Sequence, residues 1–309
     1  MTAGSISSPP SSRRRPDRGR RREVVAGYVL SLPFLAVFLV FTIGPVIASF
    51  VMSFTDLRSS DVRNPLAVAF VGVENYSKLF ADETFRKAAF NTAYFVVIGV
   101  PLTMGLALAV AVALDSGITR LRTFFRVGYY LPVVTSIVAV AVVWRFLLDP
   151  DSGIVNTLLG YVGIEGPSWL KSTTWAMPSI IVMSAWRNMG SLVIIFLAGL
   201  QVVPKEMHEA AAIDGAGPWA RFRHITLPML RPTLLFGGVV TMIGYLQFFE
   251  EPFVMTRGGP LDSTLSTAYY TYNQFGFGNY SYAAAMAYVL FVVIALVTAL
   301  QFKWLGSKD

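Results

Sequence analysis

Apolar residues run in six long blocks, at about 26–54, 88–114, 127–148, 177–203, 233–256 and 283–304. Each is long enough to cross a bilayer, which takes about 20 mostly apolar residues as a helix. The pattern therefore predicts an all-α polytopic membrane protein with six transmembrane helices. Polar segments at 55–87, 115–126, 149–176, 204–232 and 257–282 join them. Residues 1–23 are rich in Ser, Pro and Arg and poor in large apolar groups, a composition that predicts a disordered basic tail. The ordered membrane domain then occupies 24–309. The first apolar block is far longer than the roughly 7–15 residue core of a signal peptide. It reads as an uncleaved helix bent at Pro33 and Pro45.

Composition agrees: 54% of the 309 residues are hydrophobic and 14% charged, against about 25% charged in a soluble domain. With no cysteine and only His208 and His224, the chain has no means for disulfides, thiolate metal sites or a cysteine nucleophile, and little for histidine catalysis. The net charge of +7 gives no reason to expect a nucleic-acid partner once its location is considered. Seven basic residues crowd Arg13–Arg22, beside the first apolar block, where they orient a membrane protein. With the N-terminus inside, the cytoplasmic segments carry 16 Lys and Arg and the outside segments seven. Both termini of this multi-pass membrane protein are thus expected in the cytoplasm.

The 204–232 stretch does not read as a plain loop. Pro204 suits a first helical turn and Glu206 its positive dipole end. Ala210, Ala211 and Ala212 favour helix while letting another surface come close. Gly215 is a natural left-handed terminator. Pro218 starts a second helix, with Trp219, Phe222 and Ile225 on one stripe, expected to end before Pro228 and Pro232. Two short helices meeting at a glycine elbow suit a docking surface for a cytoplasmic partner.

Glu209-Ala210-Ala211, Asp214-Gly215-Ala216 and the following Ile225-x-Leu227-Pro228 resemble the EAA loop of permease subunits of bacterial ABC importers. The runs Phe196–Pro204 and Thr256–Pro260 resemble the carbohydrate-uptake branch, typified by maltose and glycerol-3-phosphate permeases. The resemblance extends over about 27–305. It implies a non-catalytic pore subunit that couples through Glu209, Ala210, Ala211, Asp214, Gly215 and Ala216 to a cytoplasmic ATPase dimer, where ATP and magnesium would bind. It further implies a bacterial plasma (inner) membrane, a second permease subunit, an extracellular solute-binding protein and a sugar or related polyol as substrate. Independently, the chain lacks a Gly-x-x-x-x-Gly-Lys-Ser/Thr phosphate loop and any Gly-Lys pair. No cofactor, metal or catalytic residue is expected in it.

Ionisable residues inside spans are functional candidates. Counted at about 1.5 Å per residue from the cytoplasmic ends, Arg145, Arg187 and Glu250 share one layer about 24–27 Å up, with Glu251 pointing about 100° away. Arg187, flanked by Trp186 and Asn188, either faces the substrate path or pairs structurally with Glu250. Arg145 is expected to snorkel to the outer interface. Tyr245, Gln247 and Tyr288 have the aromatic faces and amides that sugar rings and hydroxyls need. Tyr269, Tyr270, Tyr272, Asn273 and Gln274 read as an interface belt, with a vestibule or binding-protein contact as the other reading. An ion-coupled secondary transporter using Glu250 and Glu251 is the alternative class, although no internal repeat is evident. A membrane enzyme would need a convergent acid–base or metal set that the chain lacks.

Overall fold

The computed structural model describes residues 18–61, 63, 68–116 and 122–305. Among them the only extended pairing is an isolated antiparallel bridge between Thr55 and Phe70; the rest of the regular structure is helical. Contacts divide the chain into two units, Met1–Val51 and Met52–Asp309.

In the first unit α1 (Arg18–Phe38) passes through a π turn, Leu39–Ile43, into α2 (Gly44–Met52). The expected bend at Pro45 takes the form of this turn. Proline has no N–H and crowds the carbonyl four residues back, and a one-residue widening lets the Gly44 N–H reach the Leu39 carbonyl. At Pro33 the helix carries on. It also starts at Arg18, inside the segment expected to be a disordered tail. Arg and Glu are good helix formers, and extending an existing helix needs no new nucleus. Residues 1–17, with Arg13, Arg14 and Arg15, lie outside the described residues, as do Arg120 and Lys308. None of the described side chains of 24–51 is buried, which suits a helix apolar on every face and solvated by lipid.

The second unit contains α3 (Glu74–Ala81), α4 (Glu83–Ser116), α5 (Arg122–Val134), α6 (Ile137–Leu147), α7 (Ile154–Tyr161) and α8 (Ala176–Leu200). After these come α9 (Lys205–Ile213), α10 (Pro218–Arg221), α11 (Leu227–Met229), α12 (Arg231–Leu246), α13 (Glu250–Met255), α14 (Thr267–Gly276) and α15 (Tyr280–Leu305). The central pair is α4 and α8; α12 packs on both, and α15 on α12. Ala107 and Ala111, one turn apart on α4, bring that helix close to Val193 and Phe196 of α8. Farther along, Phe95 and Val100 meet Ile180, Ile181 and Tyr245 in a second apolar cluster.

Four helices are long and apolar enough to cross a membrane among the described residues, and six if each of two bent pairs counts as one span. The predicted third span, 127–148, is broken between α5 and α6, with a bend of 109°. Pro132 removes one helical hydrogen bond, and the Thr135 hydroxyl bonds back to the Leu131 carbonyl at 2.8 Å, a contact that bends helices. The predicted fifth span, 233–256, is also interrupted: α12 stops at Leu246 and α13 begins at Glu250. Pro252 has no N–H for the Phe248 carbonyl, and the Ser266 hydroxyl supplies that hydrogen bond instead, at 2.7 Å. The depth count from the cytoplasmic ends therefore fails for Arg145 and Glu250; Arg187 alone sits on an unbroken helix.

Candidate functional site

The break between α5 and α6 and the interruption between α12 and α13 frame one cleft of about 480 Å³. Ile137, just past the first break, lines it. Across from it are Gln247, Phe248 and Phe249 of the second break, then Glu250 and Glu251 of α13. Arg187, Asn188 and Ser191 of α8 and Tyr245 of α12 complete the polar part. The structure thus brings together six of the sequence-predicted residues: Arg187, Asn188, Tyr245, Gln247, Glu250 and Glu251.

It does not bring in Trp186 or Tyr288. Trp186 faces α6, with its ring centroid 5.8 Å from that of Trp144. Tyr288 packs against Phe291 on α15 and is absent from the cleft lining. Arg145 is also elsewhere, its Nη1 3.5 Å from the Val254 carbonyl.

The Arg187–Glu250 pair, one of the two readings of Arg187, does not form: the two salt bridges among the described residues are Lys78–Glu74 and Arg86–Glu83. Arg187 instead donates from Nη1 to Asn188 Oδ1 at 3.1 Å and from Nη2 toward the Thr135 carbonyl at 3.5 Å. Its Nε is buried without a hydrogen-bond partner. Of the two adjacent acids, Glu251 is buried, at 8% exposure, and within Coulombic reach of Arg187, while Glu250 is exposed. Starting α13 at Glu250 resets the helical phase, so positions extrapolated along α12 no longer apply.

A supporting layer behind the cleft, on α4, was invisible in the sequence. Thr103 is fully buried and donates to the Gly99 carbonyl at 2.7 Å, while its Oγ1 lies 2.7 Å from the Tyr245 hydroxyl. The Tyr245 ring packs on Gly99, where a Cβ would come within 2.9 Å of Tyr245 Cε2. Phe95 stacks on Phe248 at 3.9 Å between centroids, which fixes the start of the break. The available signal was weak: a Gly and a Thr four residues apart within an apolar run.

The predicted aromatic belt on α14 resolves into separate roles. Tyr270 and Tyr282 both donate to Asp82 Oδ2, at 2.7 and 2.8 Å, joining α14 and α15 to the start of α4. Tyr269 is buried against Phe249 and Phe253, and Tyr272 is exposed. The pairing partners lie some 190 residues back in the sequence, which is why a belt was the simpler reading.

At the other end of the bundle, α9 terminates as its residues direct. Gly215 adopts φ +80°. The Gly215 N–H bonds the Ala212 carbonyl at 3.1 Å and the Ala216 N–H the Ala211 carbonyl at 2.8 Å, the paired closure of a left-handed helix end. Pro218 opens α10, and Trp219 and Phe222 stack at 5.6 Å. The second helix does not end before Pro228: a π turn at Phe222–Thr226 absorbs the proline, and the chain stays helical to Met229. Glu209, Ala210 and Asp214 are exposed, and Ala211 and Ala216 half-buried. Beside them Ile213 is 87% and Trp219 71% exposed. His208 is half-buried, and His224 Nδ1 lies 2.9 Å from the Ala220 carbonyl. Among the described residues no group of three or more His, Asp or Glu is placed to hold a metal ion.

Residues 99–308 match the family described as binding-protein-dependent transport system inner membrane component. The chain is 37% identical over 292 residues to the probable ABC transporter permease protein YesP of Bacillus subtilis, covering 93% of this chain and 92% of that protein. It is 36% identical over 284 residues to the lactose transport system permease protein LacF of Rhizobium radiobacter, covering 90% and 93%. Among solved structures, a bacterial ABC transporter involved in the import of the acidic polysaccharide alginate is similar, with a TM-score of 0.77 and 25% identity over 93% of this chain and 97% of that one. A second structure, with a TM-score of 0.76 and 25% identity over 92% and 94%, is that alginate transporter in complex with an alginate pentasaccharide-bound periplasmic protein.

Proposed function

Because the chain belongs to the binding-protein-dependent transport system inner membrane component family, and is thus a non-catalytic permease subunit of an ABC importer in the inner membrane, we propose that it carries a sugar or oligosaccharide. The relatives named for lactose and for arabinooligosaccharides support that substrate class. The observation that carries the reading is the cleft between the two helix breaks. It sets amide, hydroxyl, carboxylate and guanidinium groups in one lining with the aromatic residues Phe248 and Phe249. Aromatic faces suit the CH side of a sugar ring, and the polar groups its hydroxyls. Discontinuous helices at a binding site are also a recurrent transporter device.

In this reading a solute-binding protein delivers the sugar from outside, and a second permease subunit completes the pore. The elbow at Glu209–Ala216 seats in a cytoplasmic ATPase dimer that holds ATP and magnesium. Both termini lie in the cytoplasm, and α5–α6 and the run from α10 to α12 each count as one of six spans. The exposed Ile213 and Trp219 beside the elbow support docking there.

The test is uptake into proteoliposomes holding the full transporter. Glu209→Lys replaces attraction to a basic group on the ATPase with repulsion, so transport and sugar-stimulated ATP hydrolysis should both vanish while the protein still inserts. Normal coupling in Glu209→Lys and Gly215→Pro would sink the elbow assignment. The purified single chain should hydrolyse no ATP. If uptake persisted without ATP and collapsed with a protonophore, the ion-coupled alternative, with buried Glu251 as its carrier, would replace this reading.

A further inference from the structure

The 149–176 segment, polar overall, holds a short helix with an apolar side that no described residue of its own unit covers. On α7, Ile154, Leu158 and Tyr161 recur at helical spacing on one face, and Val162 and Ile164 extend it. All five are exposed, Tyr161 at 82%. The opposite side is fastened down. Val155 packs on the main apolar cluster. Asn156 accepts from Trp169 Nε1 at 2.7 Å and donates to the Pro150 carbonyl at 3.0 Å. The exposed stripe is therefore presented by a held helix rather than by a frayed one.

We infer that α7 lies in the outer membrane interface with Ile154, Leu158, Tyr161, Val162 and Ile164 seated among lipid acyl chains. Three observations choose lipid as the occupant. First, α7 has no room to leave the membrane surface: six residues separate it from the end of α6, and Asp149 folds part of these into a turn by accepting the Asp151 and Ser152 N–H groups. Second, α7 carries no charged residue, so no salt bridge or ionic rim is offered to a protein partner. Third, Trp169 and Trp175 pack edge to face at 5.4 Å just before α8, and Trp175 is exposed. Tryptophan at a span's end marks the headgroup level. An apolar helix face at that level, held from its polar side, is the geometry of an interfacial anchor. It would fix the height of α6, the outer arm of the bent third span.

The inference rests on reading α5–α6 and α8 as spans, and the experiment separates the two. The chain has no native cysteine, so single cysteines can be labelled without background. Nitroxide labels at positions 158 and 161, with 151 and 182 as controls, are placed on the full-length chain in phosphatidylethanolamine–phosphatidylglycerol nanodiscs. Collision with oxygen, which concentrates in lipid, is compared with collision with a water-soluble nickel chelate. The oxygen-to-nickel ratio at Leu158→Cys and Tyr161→Cys should exceed that at Asp151→Cys, an exposed position in the preceding turn, several-fold. A low ratio at 158 and 161 with a high one at Val182→Cys, on α8, overturns the anchor but keeps the spans. A low ratio at 182 as well removes the span reading itself. Nickel access at 158 and 161 that is lost on adding the solute-binding protein would instead make α7 a protein-docking face, and also overturns the inference.

Discussion

The hydroxyls of Tyr245 and Thr103 lie 2.7 Å apart, and the bond between them runs in one direction. Thr103 already donates its hydrogen to the Gly99 carbonyl, so Tyr245 donates to Thr103. Asn188 Nδ2 in turn points at the Tyr245 oxygen from 3.5 Å, and Arg187 donates to Asn188 Oδ1. A single chain of donors thus leads from the guanidinium in the cleft to the backbone of α4, holding α8, α12 and α4 in register.

Tyr245→Phe removes the middle link without changing the packing. The expected loss of stability is about 0.6 kcal/mol, the average for interhelical hydrogen bonds in membrane proteins. A double-mutant cycle with Thr103→Val, read from detergent melting curves, should return a coupling of that size. Purely additive effects would show that the bond contributes nothing.

Gly99→Val tests the same contact from the other side. Its Cβ would stand 2.9 Å from the Tyr245 ring, which is already backed by Phe95 and cannot swing aside. Overpacking of this kind costs about 1–3 kcal/mol. A melting temperature unchanged from wild type would mean that the α4–α12 contact is looser than described.

Arg187→Leu leaves Glu251 buried without its nearby positive charge. Breaking a direct buried pair costs about 3–5 kcal/mol; Arg187 acts on Glu251 through space without a salt bridge and is itself half-buried, so the loss should fall below that range. Adding Glu251→Gln should recover much of the lost expression and melting temperature, whereas adding Glu250→Gln should not. Rescue by Glu250→Gln would restore the Arg187–Glu250 pairing, the other reading the sequence offered.

Gly215→Ala forces a side chain into φ +80°. The left-handed region costs a non-glycine residue about 1–2 kcal/mol. The end of α9 should fray, and coupling efficiency, measured as sugar transported per ATP hydrolysed, should fall while insertion is unaffected. Gly215→Asn, which tolerates that region, should be milder.

Asp82 supplies a pH dependence. Burial raises its pKa, but hydrogen bonds from Tyr270, Tyr282 and the Phe85 and Thr84 N–H groups outweigh this and hold it below the ordinary 3.8. Burial and the same carboxylate push the Tyr270 phenol up to about 12, so it remains a donor at neutral pH. A carboxyl with a depressed folded pKa stabilises fully above its unfolded value and loses that contribution as pH falls through the folded one. Asp82→Asn should therefore melt lower than wild type near pH 7, with the gap closing below about pH 4. A constant gap across that range would detach the effect from ionisation.

The sequence by itself determined what depends on neighbours along the chain. Six apolar blocks, the lysine and arginine bias and the proline–alanine–glycine order of the elbow are local signals, and Gly215 closes its helix through bonds to residues only three and five positions away. Pro252 was equally visible, yet hydropathy counts side chains and overlooks a missing backbone donor, so α12 was extended through it. The tertiary structure alone decided which acid stands by Arg187, because the break at 247–249 resets the helical phase and turns Glu251, not Glu250, inward. It alone placed Thr103 and Gly99 behind the cleft and Asp82 beneath two tyrosines. Those contacts join residues more than 140 positions apart, and an apolar helix carries no periodic mark of which face will meet another helix and which will meet lipid.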